Sequence, residues 1–211
     1  MHPSNQFRAS PDNPADARAL QETLVDQIGF GMIFADTPDG PRVAHTPLLS
    51  TGDGAVQFHL SRGNALTKHL TAGKALLVVN GPDAYVSARW YEAADQVPTW
   101  NYVALELEGT VRRMDADGLL GLLEGLSQRH EDRITGGQPW TMDKMSDTGL
   151  RGLLKGIVGF EMEVLAWRDT VKLSQNKSHD ERARVIAGLE ANGAPAIAAL
   201  MRSLVPGGIT E

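Results

Sequence analysis

The sequence predicts a mainly β fold with helices (α+β): six strands in a small Greek-key barrel, with helical decoration and helices at the C-terminal end. Three observations carry this reading. Three strand-like runs joined by short turns precede residue 62, which is a meander, and the βαβ alternation of a Rossmann-like sheet is absent. The run Val103 to Arg112 alternates Val, Leu, Leu, Gly, Val against Ala, Glu, Glu, Thr, Arg, the period of two expected of a strand with one wet face. The 22 glycines and 11 prolines imply many turns, which suits short strands better than a helical bundle.

Taken in order, Asn13-Pro14 opens a first helix, with Asn as cap, Pro in the first turn and Asp16 near the positive end. Leu20, Leu24 and Ile28 give its buried stripe. Gly29 to Ala35 reads as a strand, and Thr37-Pro38-Asp39-Gly40-Pro41 as a hairpin turn whose prolines lengthen the loop. Arg42 to Ser50 is the second strand, with Pro47 placing it at an edge or a bulge. Ala55 to Leu60 is the third. Asn64 caps a helix over Ala65 to Ala72, stopped by Gly73. Ala75 to Asn80 is nearly all apolar, so the spacing predicts a strand buried on both faces.

The fifth strand is Val103 to Arg112. Asp115 starts a helix with Leu119, Leu122, Leu123 and Leu126 on one face. Residues 133–147 read as irregular, and a short helix ends at Gly156. Ile157 to Asp169 is the sixth strand, and Thr170 to Lys177 a polar loop. Ser178-x-x-Glu181 is a capping box opening a helix that Asn192-Gly193 closes. An alanine-rich helix, Ala194 to Leu204, ends the chain. The division expected is 1–170 as barrel domain and 171–211 as a polar loop and helical appendage packed on it.

Composition removes whole classes of function. Without cysteine there is no disulfide, thiolate nucleophile or zinc–thiolate site. Six scattered histidines form no HExxH and no i, i+4 pair, so no metal is expected. No Walker A, dinucleotide fingerprint or GxSxG elbow occurs. A net charge of −6, with no basic run beyond Arg112-Arg113, lacks the electrostatic footprint of DNA binding. No stretch has the length or flanks of a membrane span or signal peptide, so the expectation is a cytoplasmic protein with no membrane partner.

Three polar stretches stand at strand ends. In His59-Leu60-Ser61-Arg62-Gly63-Asn64, a hydroxyl and a guanidinium precede a helix start, as a phosphate cradle requires. An ordinary cap with a solvated arginine explains the same letters. His45-Thr46 lies within a strand, so at least one side chain faces inward. Lys172-Leu173-Ser174-Gln175-Asn176 gathers polar side chains before a capped helix, a composition that solvated loops share. The aromatic block Gly81 to Met114, with two of the four tryptophans and all three tyrosines, offers either a flat ligand site or the filling of a core or dimer interface.

Six blocks, AHTPLLS (44–50), FHLSRGNALTKHL (58–70), GPDAYVSARWY (81–91), VPTWNYVALELEGTV (97–111), IVGFEMEV (157–164) and KLSQNKS (172–178), occur in this order. Together they resemble the PaiB-like proteins, a family of FMN-binding split barrels labelled negative transcriptional regulators. The combination of VPTWNY with KLSQN is specific, and the resemblance covers nearly the whole chain. The first dozen residues are less typical and read as a variable tail.

The resemblance implies a six-stranded Greek-key split barrel of the FMN-binding type and a homodimer with flavin at the subunit interface. By position, Ser61, Arg62 and Asn64 would hold the FMN phosphate, and Thr46 would line the ring. Trp100 and Asn101 would meet the ring's edge, with Lys172 and Gln175 reaching in from the loop. A small-molecule substrate or ligand is implied, while direct DNA binding sits badly with the charge. Two functions follow: regulation exerted through bound flavin, or a flavin-dependent oxidoreductase with no regulatory role. Fold analogy does not choose between them, nor say whether the protein is an enzyme.

Overall fold

The structure is a computed structural model that describes residues 2, 4–10, 12–92 and 94–203. Helix α1 spans Pro14–Ile28, and strands β1, β2 and β3 span Phe30–Thr37, Gly40–Ser50 and Ala55–Ser61. Strand β4 is Lys74–Val86, β5 Thr99–Arg113 and β6 Ile157–Lys172. Helices α2, Ala116–Glu131, and α3, Asp147–Gly156, separate β5 from β6; α4, His179–Ala191, and α5, Pro195–Ser203, follow it. The strands close a barrel in the order β1-β2-β3-β6-β5-β4, with β1–β2, β1–β4, β2–β3 and β3–β6 antiparallel. This is the six-stranded α+β barrel the sequence predicts.

Two compact units make up the chain. The first comprises Met1–Gln21, Asn80–Leu105 and Arg168–Glu211, and the second Glu22–Val79 and Glu106–Trp167. In the second unit the inward residues of the strands, among them Ile33, Leu48, Phe58, Leu77, Leu107 and Phe160, are fully buried. Phe58 and Phe160, cross-strand partners on β3 and β6, stack with ring centroids 5.6 Å apart. In the first unit Val86, Val103, Leu173, Val185, Ile197 and Met201 play the same part.

The alternation read over Val103 to Val111 holds residue for residue: Val103, Leu105, Leu107, Gly109 and Val111 are buried, and the residues between them are not. The Ser178–Glu181 capping box forms both reciprocal hydrogen bonds. Asn13 accepts from the Ala15 and Asp16 amides at 3.1 and 3.4 Å, capping α1.

Several expectations need correction. The α1 stripe is Gln21, Leu24 and Val25, with Leu20 and Ile28 only half-buried. The β1–β2 ladder runs to Thr37↔Gly40, leaving a two-residue turn, so the prolines do not lengthen it; Gly40, at φ +94°, supplies the turn's left-handed residue. Strand β4 is thirteen residues long and alternates, with Leu76 and Val78 only half-buried. In place of one helix over Ala65 to Ala72 there are two 3-10 turns, Ala65–Lys68 and Leu70–Ala72. Strand β6 continues through Thr170 and Val171, both buried, into the stretch expected to be a loop.

The described residues near the start of the chain are tied to the fold. Phe7 is buried. The Ala9 amide and the Gln21 side chain donate to the two oxygens of Asp169, at 2.7 and 2.6 Å, and that residue is only 4% exposed. Arg8 donates to the Asp169 carbonyl and, at 2.9 Å, to the His2 carbonyl, while the His2 amide donates to the Thr170 hydroxyl at 3.1 Å. A buried carboxylate without such donors carries a desolvation penalty, which these contacts offset.

Candidate functional site

In the second unit β3 runs out at Ser61 into the turn Arg62-Gly63-Asn64. The Asn64 amide and the Thr67 hydroxyl both donate to the Ser61 carbonyl, at 2.9 and 2.8 Å, which fixes the turn. The Asn64 side chain accepts from the Leu66 amide at 2.9 Å, so it caps a 3-10 turn of four residues and not an α-helix. The row of free amides expected there is correspondingly short.

Arg62 reaches the end of α3. Its amide donates to the Gly156 carbonyl at 2.8 Å, its Nε to the Lys155 carbonyl at 2.8 Å and its Nη2 to the Ile157 carbonyl at 3.2 Å. The Lys155 and Gly156 carbonyls lie in the last turn of α3, at the negative end of its dipole and without partners inside the helix, so an arginine is a natural cap; Ile157 is the first residue of β6. The side chain stays exposed, with Nη1 directed to no acceptor among the described residues. The Ser61 hydroxyl is also exposed, with only a 3.4 Å approach from the Gly63 amide.

Thr46 is 1% exposed, and its hydroxyl donates to the His59 carbonyl at 2.7 Å, tying β2 to β3. His45 faces outward. His59 is a residue to which the sequence reading gave no role of its own. It lies between the inward residues Phe58 and Leu60, so it faces the other side of β3; its Nδ1 is buried and meets no hydrogen-bond partner among the described residues, and burial pushes the imidazole pKa down. A buried nitrogen without a partner is where a ligand's polar atom can be accommodated. The signal that could have found it is its place on the alternate face, two residues before the serine.

In the first unit Trp100 is 53% exposed and meets the Tyr85 ring edge-on at 6.1 Å. It walls a shallow groove of about 260 Å³ with Asn80, Gly81, Asp83 and Tyr102. Asn101 points the other way and is fully buried; its amide donates to the Ser174 hydroxyl at 3.0 Å and lies 3.4 Å from the Met201 sulfur. Ser174 holds this position at φ +60°, a backbone angle uncommon outside glycine.

Lys172 donates to the Thr99 hydroxyl at 2.6 Å. The Gln175 amide closes on its own loop, accepting from the Leu173 amide at 2.7 Å and donating to the Val171 carbonyl. Beside them Tyr91 is 8% exposed; burial pushes its phenol up, the Ser174 hydroxyl opposes this and the Glu181 charge adds to it. The structure thus gathers Thr46, Ser61, Arg62 and Asn64 in the second unit, and Trp100, Asn101, Lys172 and Gln175 in the first.

Comparison with known proteins places the chain in a family. Residues 1–166 match the family described as "Putative FMN-binding domain". The chain belongs to that family. It is 32% identical over 171 residues to protease synthase and sporulation protein PAI 2 of Bacillus subtilis, an alignment covering 79% of this chain and 81% of that protein. The PaiB-like resemblance is therefore correct. Among solved structures, the FAD and heme binding protein from Mycobacterium smegmatis aligns with a TM-score of 0.57 at 19% identity, covering 79% of this chain and 76% of that one. The flavocytochrome Anf3 from Azotobacter vinelandii aligns at 0.52 and 18% identity, covering 74% and 67%. These two likenesses concern the fold.

Proposed function

We propose that the chain binds FMN, with the phosphate on Ser61, Arg62 and Asn64, and that it acts through the bound flavin. Arg62 carries this reading: it is anchored on two backbone carbonyls yet remains exposed, and the residue before it, Ser61, has an exposed hydroxyl. His59, with a buried unpartnered nitrogen on the same strand, supplies a polar contact suited to a flavin. Trp100 and Lys172 are the aromatic face and the ammonium that the resemblance assigns to the ring's edge. Thr46, Asn101 and Gln175, whose polar groups are engaged inside the fold, brace the strands and loop that carry the site. FMN supplies reversible electron transfer, and the protein's part is to bind, orient and shield it.

Arg62→Ala is expected to weaken FMN binding by about 1.5–3 kcal/mol while leaving riboflavin, which lacks the phosphate, nearly unaffected. Flavin fluorescence quenching measures both. Equal losses for the two ligands would move the phosphate elsewhere.

The role that fits the charge is regulation exerted through the flavin, with flavin-dependent oxidoreduction of a small molecule as the second reading. The chain has 20 basic against 26 acidic residues, a balance opposed to direct operator contact. FMN-loaded protein is expected to show no appreciable binding to duplex DNA at about 0.15 M salt, where operator-binding proteins hold their sites at nanomolar affinity. Bleaching of the flavin by NADH or NADPH in the same sample supports the oxidoreductase. Tight, salt-sensitive and sequence-selective DNA binding overturns both.

We further propose a two-fold homodimer with flavin at the subunit interface. Tyr85, Val97 and Trp100 of the first unit are 49%, 73% and 53% exposed, an aromatic and aliphatic surface of the kind that homodimer interfaces cover.

A further inference from the structure

The second unit holds a cavity that the phosphate turn does not account for. It measures about 460 Å³, within the range of small-molecule sites. Met114, Leu119, Leu154 and Ile157 give it apolar walls. Four cationic side chains, Arg62, Arg113, Arg151 and Lys155, line the same space. Its single acid is Asp115, whose carboxylate accepts from the Gly118 amide at 2.8 Å as the cap of α2. Four cations against one committed carboxylate form a concentrated positive field, on a chain whose net charge is −6.

The cations divide by how they are held. Arg62 is fixed on the Lys155 carbonyl of α3 and the Ile157 carbonyl at the start of β6, and Arg113 donates to the Thr67 carbonyl at 2.9 Å. Arg151 and Lys155, four residues apart on α3, share one face of that helix and are exposed. Two positioned guanidiniums and two adaptable cations, over an apolar wall, are suited to a charged group on a hydrophobic body.

We propose that this cavity binds an organic anion: an aromatic or short acyl body bearing a carboxylate, sulfonate or phosphate. Of the three turn residues assigned to the FMN phosphate, only Arg62 lines it, so turn and cavity are neighbouring surfaces with one residue in common. The anion is accordingly a second ligand, the substrate or effector of the flavin protein. That last clause rests on the FMN reading, whereas the binding itself does not.

The test is calorimetric titration of the full-length protein, with and without FMN, using 8-anilinonaphthalene-1-sulfonate. The neutral N-phenyl-1-naphthylamine, the same body without the sulfonate, is the comparison. The expected result is one sulfonate per chain, bound at least tenfold more tightly than the neutral probe and still bound one per chain at saturating FMN, with at most a modest loss of affinity through the shared Arg62. Arg151→Glu combined with Lys155→Glu should weaken the sulfonate at least tenfold and FMN far less, with the melting temperature unchanged.

Should that variant not fold, the wild type gives a second reading. Raising salt from about 0.05 to 0.5 M should weaken the sulfonate several-fold, because screening shortens the reach of exposed charges. Equal affinity for the two probes, indifference to both salt and charge reversal, or one-for-one displacement by FMN each overturns the proposal. Sulfonate binding as described in a protein that takes no FMN would uphold the cavity and remove the flavin reading instead.

Discussion

Gly109→Ala is expected to prevent folding or to cost on the order of 4 kcal/mol or more, the largest effect of any single methyl group in this chain. A Cβ at Gly109 would stand 2.0 Å from the Glu163 carbonyl oxygen and 2.9 Å from its carbon, with the Met162 Cγ at 3.0 Å. The first two are backbone atoms of β6, so no rotamer change relieves the overlap; the two strands would have to part at Gly109. Since whole-domain stability is about 5–15 kcal/mol, such a loss removes a large share of it. Gly121→Ala is the control. That glycine lies exposed in α2 with nothing within 4 Å of the place its Cβ would take, and alanine there should be neutral or stabilising by up to about 1 kcal/mol. Soluble yield, far-ultraviolet circular dichroism and urea midpoints measure both. A Gly109→Ala protein within about 1 kcal/mol of wild type would show that the strands do not approach as described.

The second large effect concerns assembly and rests on the proposed dimer. Trp100→Glu is expected to turn a dimer into a monomer at micromolar concentration. A central tryptophan in an interface is commonly worth about 2 kcal/mol or more, and in a two-fold interface each substitution counts twice. A loss of about 4 kcal/mol raises the dissociation constant roughly a thousandfold. Trp100 belongs to the exposed strand end that Tyr85 braces edge-on, so the substitution disturbs no core packing. Sedimentation velocity should give twice the 22.8 kDa chain for wild type and one chain for the variant. A monomeric wild type that binds FMN tightly, or a dimeric Trp100→Glu, removes this surface from the interface.

What was legible beforehand divides along a physical line. The faces of β5 could be read because a half-buried strand alternates by necessity, and the α4 capping box because its partners lie three residues apart. The end of β6 could not. Thr170 and Lys172 look like loop residues, yet one is buried and the other donates to Thr99, 73 positions away. Asn101 likewise meets its partner Ser174 at a separation of 73, so nothing local to either residue announces the pair. The 3-10 turns after Asn64 escaped notice because leucines at 66 and 70 fit an α-helix equally well. The site itself was legible as a family pattern more than as chemistry: Arg62 could be chosen from its letters, but its anchorage on α3, like the unpartnered nitrogen of His59, exists only in three dimensions.

The anchoring of the first residues to Asp169 and Thr170 bears on the order in which the chain assembles. The Ala9 amide and its acceptor are 160 positions apart, and the His2 amide and its acceptor 168. During synthesis the Ala9 amide and the His2 amide are made some 160 positions before the residues that accept from them, so these contacts wait for the end of β6. Contacts of such long range are among the slowest to form. Docking of the N-terminal segment is therefore a closing event of folding, and a chain halted before residue 169 has no acceptor for it.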